Sequence, residues 1–107
     1  MKVFVDECVD RRLARPILGH DVRTARDQGW TGISNGRLLA LISGAFDVSV
    51  TVDRKLSYQQ NLSTLPFAVI VLHARTNRLA DLEPLVPRLL AVIETAPTGA
   101  ATIVGSG

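Results

Sequence analysis

The run FAVIVLHA at residues 67–74 sets six apolar side chains in succession before its first polar one, His73. A strand with one wet face alternates apolar and polar residues. A run without alternation has to be covered on both sides, as strands of parallel sheets in α/β domains are. The sequence therefore predicts a central strand here. VFVDE at 3–7 is a shorter version, and VSVTVD at 48–53 reads as a further strand from its β-branched residues; the first ends on two carboxylates and the second on one. HDVRTA (20–25) and ATIV (101–104) read as two further short strands.

Helical spacing fills most of the gaps. In VDRRLARPIL (9–18) Val9, Leu13 and Ile17 fall four apart and share a face, although Pro16 should shorten that helix and Gly19 stop it. RDQGWTGI reads as a loop. Ser34 or Asn35 is the expected N-cap of a helix over about 35–45, with Leu38, Leu39, Leu41 and Ile42 as its apolar stripe. RKLSYQQNLSTLP (54–66) reads as a polar loop with one helical turn. Residues 79–95 place Leu82, Leu85, Val86, Leu89, Leu90 and Ile93 at helical spacing. Regular helix is expected there from about 83, because Pro84 and Pro87 suit only a first turn. The order β-α-β-α-β-loop-β-α-β predicts an α/β fold. It should be an open, mostly parallel sheet of about five strands, with helices on both faces and right-handed crossovers.

With 107 residues, 47% of them hydrophobic, the chain suits a single domain over residues 1–107 with a substantial core. The formal charge is only +2, too small an excess to indicate nucleic-acid binding by itself, so the placement of the arginines matters more. Cys8 is the one cysteine, which excludes an intramolecular disulfide and a cysteine-built zinc cage. No apolar run approaches the about 18 residues that crossing a bilayer takes. The first residues, one Lys and an apolar stretch broken by Asp6, do not read as a secretory signal. A cytoplasmic protein with no membrane partner is the expectation, and the terminal Gly-Ser-Gly is given no function.

The carboxylates carry the first functional argument. Every strand of a parallel sheet delivers its C-terminal end to the same edge, and ligands bind there where the strand order reverses. Asp6 and Glu7 stand at one such end and Asp53 at another, so carboxylates distant in sequence are expected to gather. Held close, they repel, and a cation relieves the repulsion. Mg²⁺ or Mn²⁺ prefers oxygen ligands, usually one or two carboxylates plus water, and can activate water against a phosphodiester. Asp6 and Asp53 are thus the candidate catalytic pair, and Asp6, Glu7 and Asp53 the candidate metal ligands. The plainer alternative is that a polar residue at a strand end begins a loop and an Asp caps the next helix.

Basic residues follow each inferred strand end: Arg11 and Arg12, Arg26, Arg54 and Lys55, then Arg75 and Arg78. On one edge of a sheet they would ring the acids with cations, an arrangement suited to a phosphate backbone. Charged loops are also common without that role.

VFVDE, GHDVRTARDQGWTGISNGRLLALI, VSVTVDRKL and FAVIVLHAR together resemble, over about residues 2–95, the compact bacterial PIN-like domains related to VapC-type toxins. VDEC at 5–8 stands where that family has LDEN or a variant. The resemblance implies a Mg²⁺- or Mn²⁺-dependent ribonuclease acting on RNA. It also implies the toxin half of a toxin–antitoxin pair, an antitoxin protein as partner, and a homodimer formed through helix surfaces. It makes Asp6 the first metal-binding Asp, with Glu7 beside it, and Asp53 the Asp of the third-strand motif.

Two departures stand out. Asn35 and Gly36 occupy the helix start where the family is acidic, and Lys55 takes the place of a further Asp. Asn35 still offers a carbonyl oxygen, whereas Lys55 opposes a cation or contacts a phosphate. The residues expected to touch RNA are Arg11, Arg12, Arg26, Asn35, Arg54, Lys55 and Arg75. A nuclease with a depleted acidic site and an inactive module gripping RNA or a protein through its basic rim both fit this pattern. A phosphoacceptor receiver domain, modified at Asp53, ranks behind them. No Lys follows Lys55, and the fourth strand runs into His73-Ala74 rather than Ser or Thr.

Other residues have readier structural explanations. His20 precedes a strand, away from the crevice, while His73 reaches its edge. Cys8 reads as a small buried hydrophobe. Thr51 faces the interior or supports Asp53, and Asp47 starts its strand at the far edge. Trp30 in QGWTG either covers the core, stacks on a base or anchors a partner.

Overall fold

The computed structural model describes residues 1–55 and 61–105. Five strands form one all-parallel sheet: β1 (Lys2–Val5), β2 (Asp21–Thr24), β3 (Val48–Thr51), β4 (Ala68–His73) and β5 (Ala101–Gly105). Their spatial order is β2-β1-β3-β4-β5. The FAVIVLHA run supplies β4, buried from Ala68 to Leu72 and flanked by β3 and β5, with β3 at the centre of the sheet. Register pairs Val3 with Val48 and Val5 with Val50, so β1 and β3 end side by side. This order is that of flavodoxin-like sheets, in which ligands bind between the first and third strands, where the winding reverses.

Side-chain alternation divides the core into two layers. Val3, Val5, Val48, Val50, Ile70 and Leu72 face one way, against Leu13, Leu82, Leu89 and Ile93. Phe4, Val69 and Val71 face the other way, against Leu38, Leu39, Ile42 and Phe46. Helices thus cover both faces. Each fully buried aliphatic side chain of this kind contributes about 1.5–3 kcal/mol relative to leaving it in water.

Several elements differ from their expected form. The helix expected over 9–18 is only a 3₁₀ turn, Arg11–Ala14. Its predicted apolar face is nonetheless right, since Val9, Leu13 and Ile17 are all buried. Asp10 caps the turn, and the bond from Arg15 N to the carbonyl of Arg12 continues in the 3₁₀ manner. Pro16 has no N–H to extend an α-helix.

RDQGWTGI is not all loop: α1 (Ala25–Gln28) opens it, capped by the reciprocal bonds of Thr24 and Asp27 and closed by Gly29 at φ 72°. The next helix, α2, runs over Asn35–Ser43, with Ser34 at the N-cap position but no side-chain cap bond. The long C-terminal helix begins earlier than expected and is broken. It comprises α3 (Leu79–Leu82), a 3₁₀ turn over Glu83–Leu85 that accommodates Pro84, and α4 (Val86–Ile93) with Pro87 in its first turn.

The loop with a helical turn expected over 54–66 lies partly outside the described residues, at 56–60; the described remainder is turn and coil. Among the described residues, no helix is long and apolar enough to cross a membrane.

Candidate functional site

The site begins with the ladder between β1 and β3. Asp6 N donates to the Val50 carbonyl at 3.0 Å, extending the strand pairing by one residue and holding Asp6 at the sheet edge. Its carboxylate is then surrounded. Oδ1 accepts from Glu7 N at 2.9 Å, and Oδ2 accepts from Thr51 Oγ1 at 3.0 Å and Cys8 Sγ at 3.2 Å.

Thr51, only 1% exposed, is the hub. Its hydroxyl also accepts from Asp53 N at 3.1 Å, so one buried oxygen joins the two acidic strand tips. The carboxylate of Asp53 turns to its own loop, where Oδ1 accepts from Lys55 N at 2.9 Å. The expectation that Thr51 supports Asp53 is met, and its bond to Asp6 adds what the sequence reading lacked.

Cys8 corrects one expectation. It is exposed, not a buried hydrophobe, and its sulfur lies 3.3 Å from Thr51 Oγ1 as well as against Asp6. Partial burial of the sulfur pushes the thiol above its ordinary value. The charge of Asp6 acts in the same direction, opposed by hydrogen bonds from Thr51 and the Val52 backbone.

Glu7 points elsewhere. Both its carboxylate oxygens accept from Gly32 N, at 3.1 and 3.3 Å, tying the β1 tip to the QGWTG loop. Trp30 of that loop packs 5.7 Å from Phe4 and 5.9 Å from Phe46, centroid to centroid, and so covers the core. Asn35 opens α2, half-buried, and makes no hydrogen bond to Asp6, Glu7 or Asp53 among the described residues.

Among the described residues, no three His, Cys, Asp or Glu side chains form a group able to hold a metal ion. Asp6 and Asp53 are linked through Thr51, which bonds the Asp6 carboxylate and the Asp53 backbone N–H. Mg²⁺ commonly binds through one or two carboxylates, several waters and substrate phosphates rather than in an all-protein cage. Two carboxylates at neighbouring strand tips match that shared mode in kind and number, and are too few for a cage supplied by the protein alone.

The cations take varied positions. Asp6, Glu7, Asp10, Arg11, Arg26 and Thr31 help line a cleft of about 330 Å³, so acids and arginines share one wall. Arg12 is committed to Asp10, with contacts of 2.7 and 3.1 Å, and Asp10 also accepts from Arg12 N at 3.0 Å. These bonds, the side-chain one foremost, hold the Asp10 carboxyl down at about 2.

Arg54 Nη1 stands 2.7 Å from His73 Nε2; the guanidinium has only protons to give, so that ring nitrogen accepts. Lys55 and Arg75 are exposed. His20 lies at the opposite end of the sheet, 3.4 Å from the terminal amine through Nδ1, and Asp47 is there too, accepting from Lys2 N at 2.9 Å. The sequence reading passed over Asp10 and Arg15. The D-R-R order marks Asp10 as the cap of the turn, whereas nothing in the spacing singles out Arg15. No protein-family model matches this chain, and no curated protein or solved structure matches it.

Proposed function

We propose that this chain is a PIN-like domain that binds RNA by its phosphate backbone and cleaves it, with a divalent ion shared between the protein and the substrate. One observation carries the reading: Thr51 Oγ1 bonds both the Asp6 carboxylate and the Asp53 backbone at the edge where β1 and β3 end together. Asp6 and Asp53, 47 residues apart in sequence, stand at neighbouring strand tips of the switch point, and Asp6 shares its cleft with Arg11 and Arg26, which suits phosphate and metal. When bound, the ion would polarise a phosphodiester and lower the pKa of a water. Asp6 would hold it, oriented by Thr51, and Asp53 would hold it from the opposite tip. Arg11 and Arg26, on the same wall as Asp6, would seat the neighbouring phosphates. A toxin role would require an antitoxin protein that closes this cleft.

A second reading, an RNA-binding module without catalysis, is favoured by a separate observation. Glu7 is spent on Gly32, and Asn35 and Lys55 add no carboxylate. The strand order is also that of receiver domains, but no Lys follows β5 and none lies between Lys55 and it.

Incubation of labelled single-stranded RNA with Mn²⁺ and with chelator separates the readings. Metal-dependent products that vanish in Asp6→Asn and in Asp53→Asn are expected. Binding without products in any metal would leave the module reading standing and the nuclease reading refuted.

A further inference from the structure

The arginines at this edge are unevenly distributed. Arg11 and Arg12 of the 3₁₀ turn, Arg15 just after it and Arg26 of α1 line one groove of about 790 Å³. It shares Arg11, Thr24 and Arg26 with the acidic cleft at Asp6, so the two adjoin. All four guanidinium groups belong to exposed residues. Arg12 is paired with Asp10, whereas Arg11, Arg15 and Arg26 form no ion pair among the described residues. The carboxylate lining the groove is Asp27, and it is already engaged: Oδ2 accepts from Thr24 N at 2.9 Å within the α1 cap.

Four guanidinium groups here meet two carboxylates, Asp10 on Arg12 and Asp27 in the groove lining, so positive charge is in excess, and its mutual repulsion weakens the folded state. An anion answers that repulsion. Guanidinium groups are planar, always charged and weakly hydrated, which suits them to phosphate oxygens above other anions. A row of them leading into an acidic cleft calls for an anion that continues from one place to the next, which a single phosphate does not do and a phosphodiester chain does.

We propose that the Arg11–Arg12–Arg15–Arg26 groove is a track for the backbone of single-stranded nucleic acid, seating the strand on the β2 side of the cleft at Asp6. The inference rests on the RNA reading of that cleft and adds the flank from which the strand enters it.

The test is fluorescence anisotropy with a short labelled single-stranded RNA, titrated at several salt concentrations onto the Asp53→Asn protein so that nothing is cleaved. Arg15→Gln with Arg26→Gln in that background should weaken binding about ten-fold. It should also flatten the plot of log affinity against log salt by about 1.4, roughly 0.7 for each phosphate that is no longer neutralised. Arg88→Gln, on α4 and lining neither cavity, should leave both quantities unchanged. Unchanged affinity and slope in the double variant would overturn the groove. Displacement of the RNA by a glutamate-rich peptide of equal charge would overturn its assignment to nucleic acid. Groove-dependent binding with no cleavage by the unsubstituted chain would sustain the track while refuting the nuclease reading. Cleavage with groove-independent binding would do the reverse.

Discussion

Thr51 Oγ1 lies 3.0 Å from Asp6 Oδ2, linking the residue that follows β1 to the last residue of β3. The bond closes across the gap at which the winding of the sheet reverses, and it is buried on the Thr51 side. A hydroxyl suits this position because it can donate to one carboxylate while accepting a backbone N–H, here that of Asp53. Sheet register brings the two tips together, and this side chain fixes their orientation.

Thr51→Val is therefore expected to destabilise the fold by about 1–3 kcal/mol, since it keeps the shape but leaves the Asp53 N–H without its partner and Asp6 Oδ2 with Cys8 Sγ as its remaining donor. Thr51→Ser, which keeps the hydroxyl and loses a methyl, should cost less than Thr51→Val. Urea denaturation of the three proteins gives the order. A valine variant as stable as the parent would show that the hub is incidental.

Asp10 should titrate far below an ordinary carboxyl. Its value of about 2 is set first by the Arg12 side chain and then by the Arg12 backbone. A depressed folded value means that the pairing stabilises the fold above the unfolded carboxyl's range. That contribution fades as the pH falls from about 4 towards 2. NMR titration of the Asp10 carboxyl should show a midpoint near 2, returning upward in Arg12→Gln. Both groups are exposed, so solvent screening limits what the pair adds, and Arg12→Gln should lower stability at neutral pH by more than it does near pH 2.

Cys8 should react slowly for a surface thiol. The thiolate is the nucleophile, and partial burial, with the charge of Asp6 adding to it, holds the proton on. The alkylation rate by iodoacetamide should rise at higher pH than it does for the unfolded chain. Asp6→Asn should move that midpoint down. Thr51→Val should move it up, because the Thr51 bond lowers the value. Coincident folded and unfolded profiles would contradict the arrangement around Asp6.

The sheet was legible because strand burial leaves a direct mark on sequence: unbroken apolar runs in β1 and β4, and in β3 a β-branched stretch whose Ser49 and Thr51 are buried with it. The turn Arg11–Ala14 was misjudged because the same i, i+4 apolar spacing serves an α-helix or a 3₁₀ turn ended by Pro16. Periodicity reports which face is buried, not which hydrogen bonds form. The α1 helix was missed although Thr24 and Asp27 stand at capping-box spacing, because four residues are too few to show a stripe. In the site, the positions of Asp6 and Asp53 followed from strand ends, but the engagement of Glu7 with Gly32 could not. That contact depends on how the QGWTG loop folds back once Trp30 is packed on Phe4, a tertiary matter with no local signature.

If the departures at Asn35 and Lys55 are what thins the metal site, returning acid there should tighten it. Lys55 contributes to the Asp53 loop through its backbone N–H, at 2.9 Å from Oδ1, so Lys55→Asp preserves that bond while replacing an exposed positive charge with a carboxylate. Asn35→Asp changes a half-buried amide at the first turn of α2, where a negative charge also suits the helix dipole. Ligand binding to the native state alone raises stability by RT ln(1 + [L]/Kd), so a ten-fold tighter site adds about 1.4 kcal/mol at saturating metal. The doubly substituted protein should therefore show a larger Mn²⁺-dependent rise in Tm than the parent, and Asp6→Asn should abolish the rise in both. A double variant whose melting ignores Mn²⁺ would mean that Asp6 and Asp53 do not face a common metal position, and the two-carboxylate site would be lost with it.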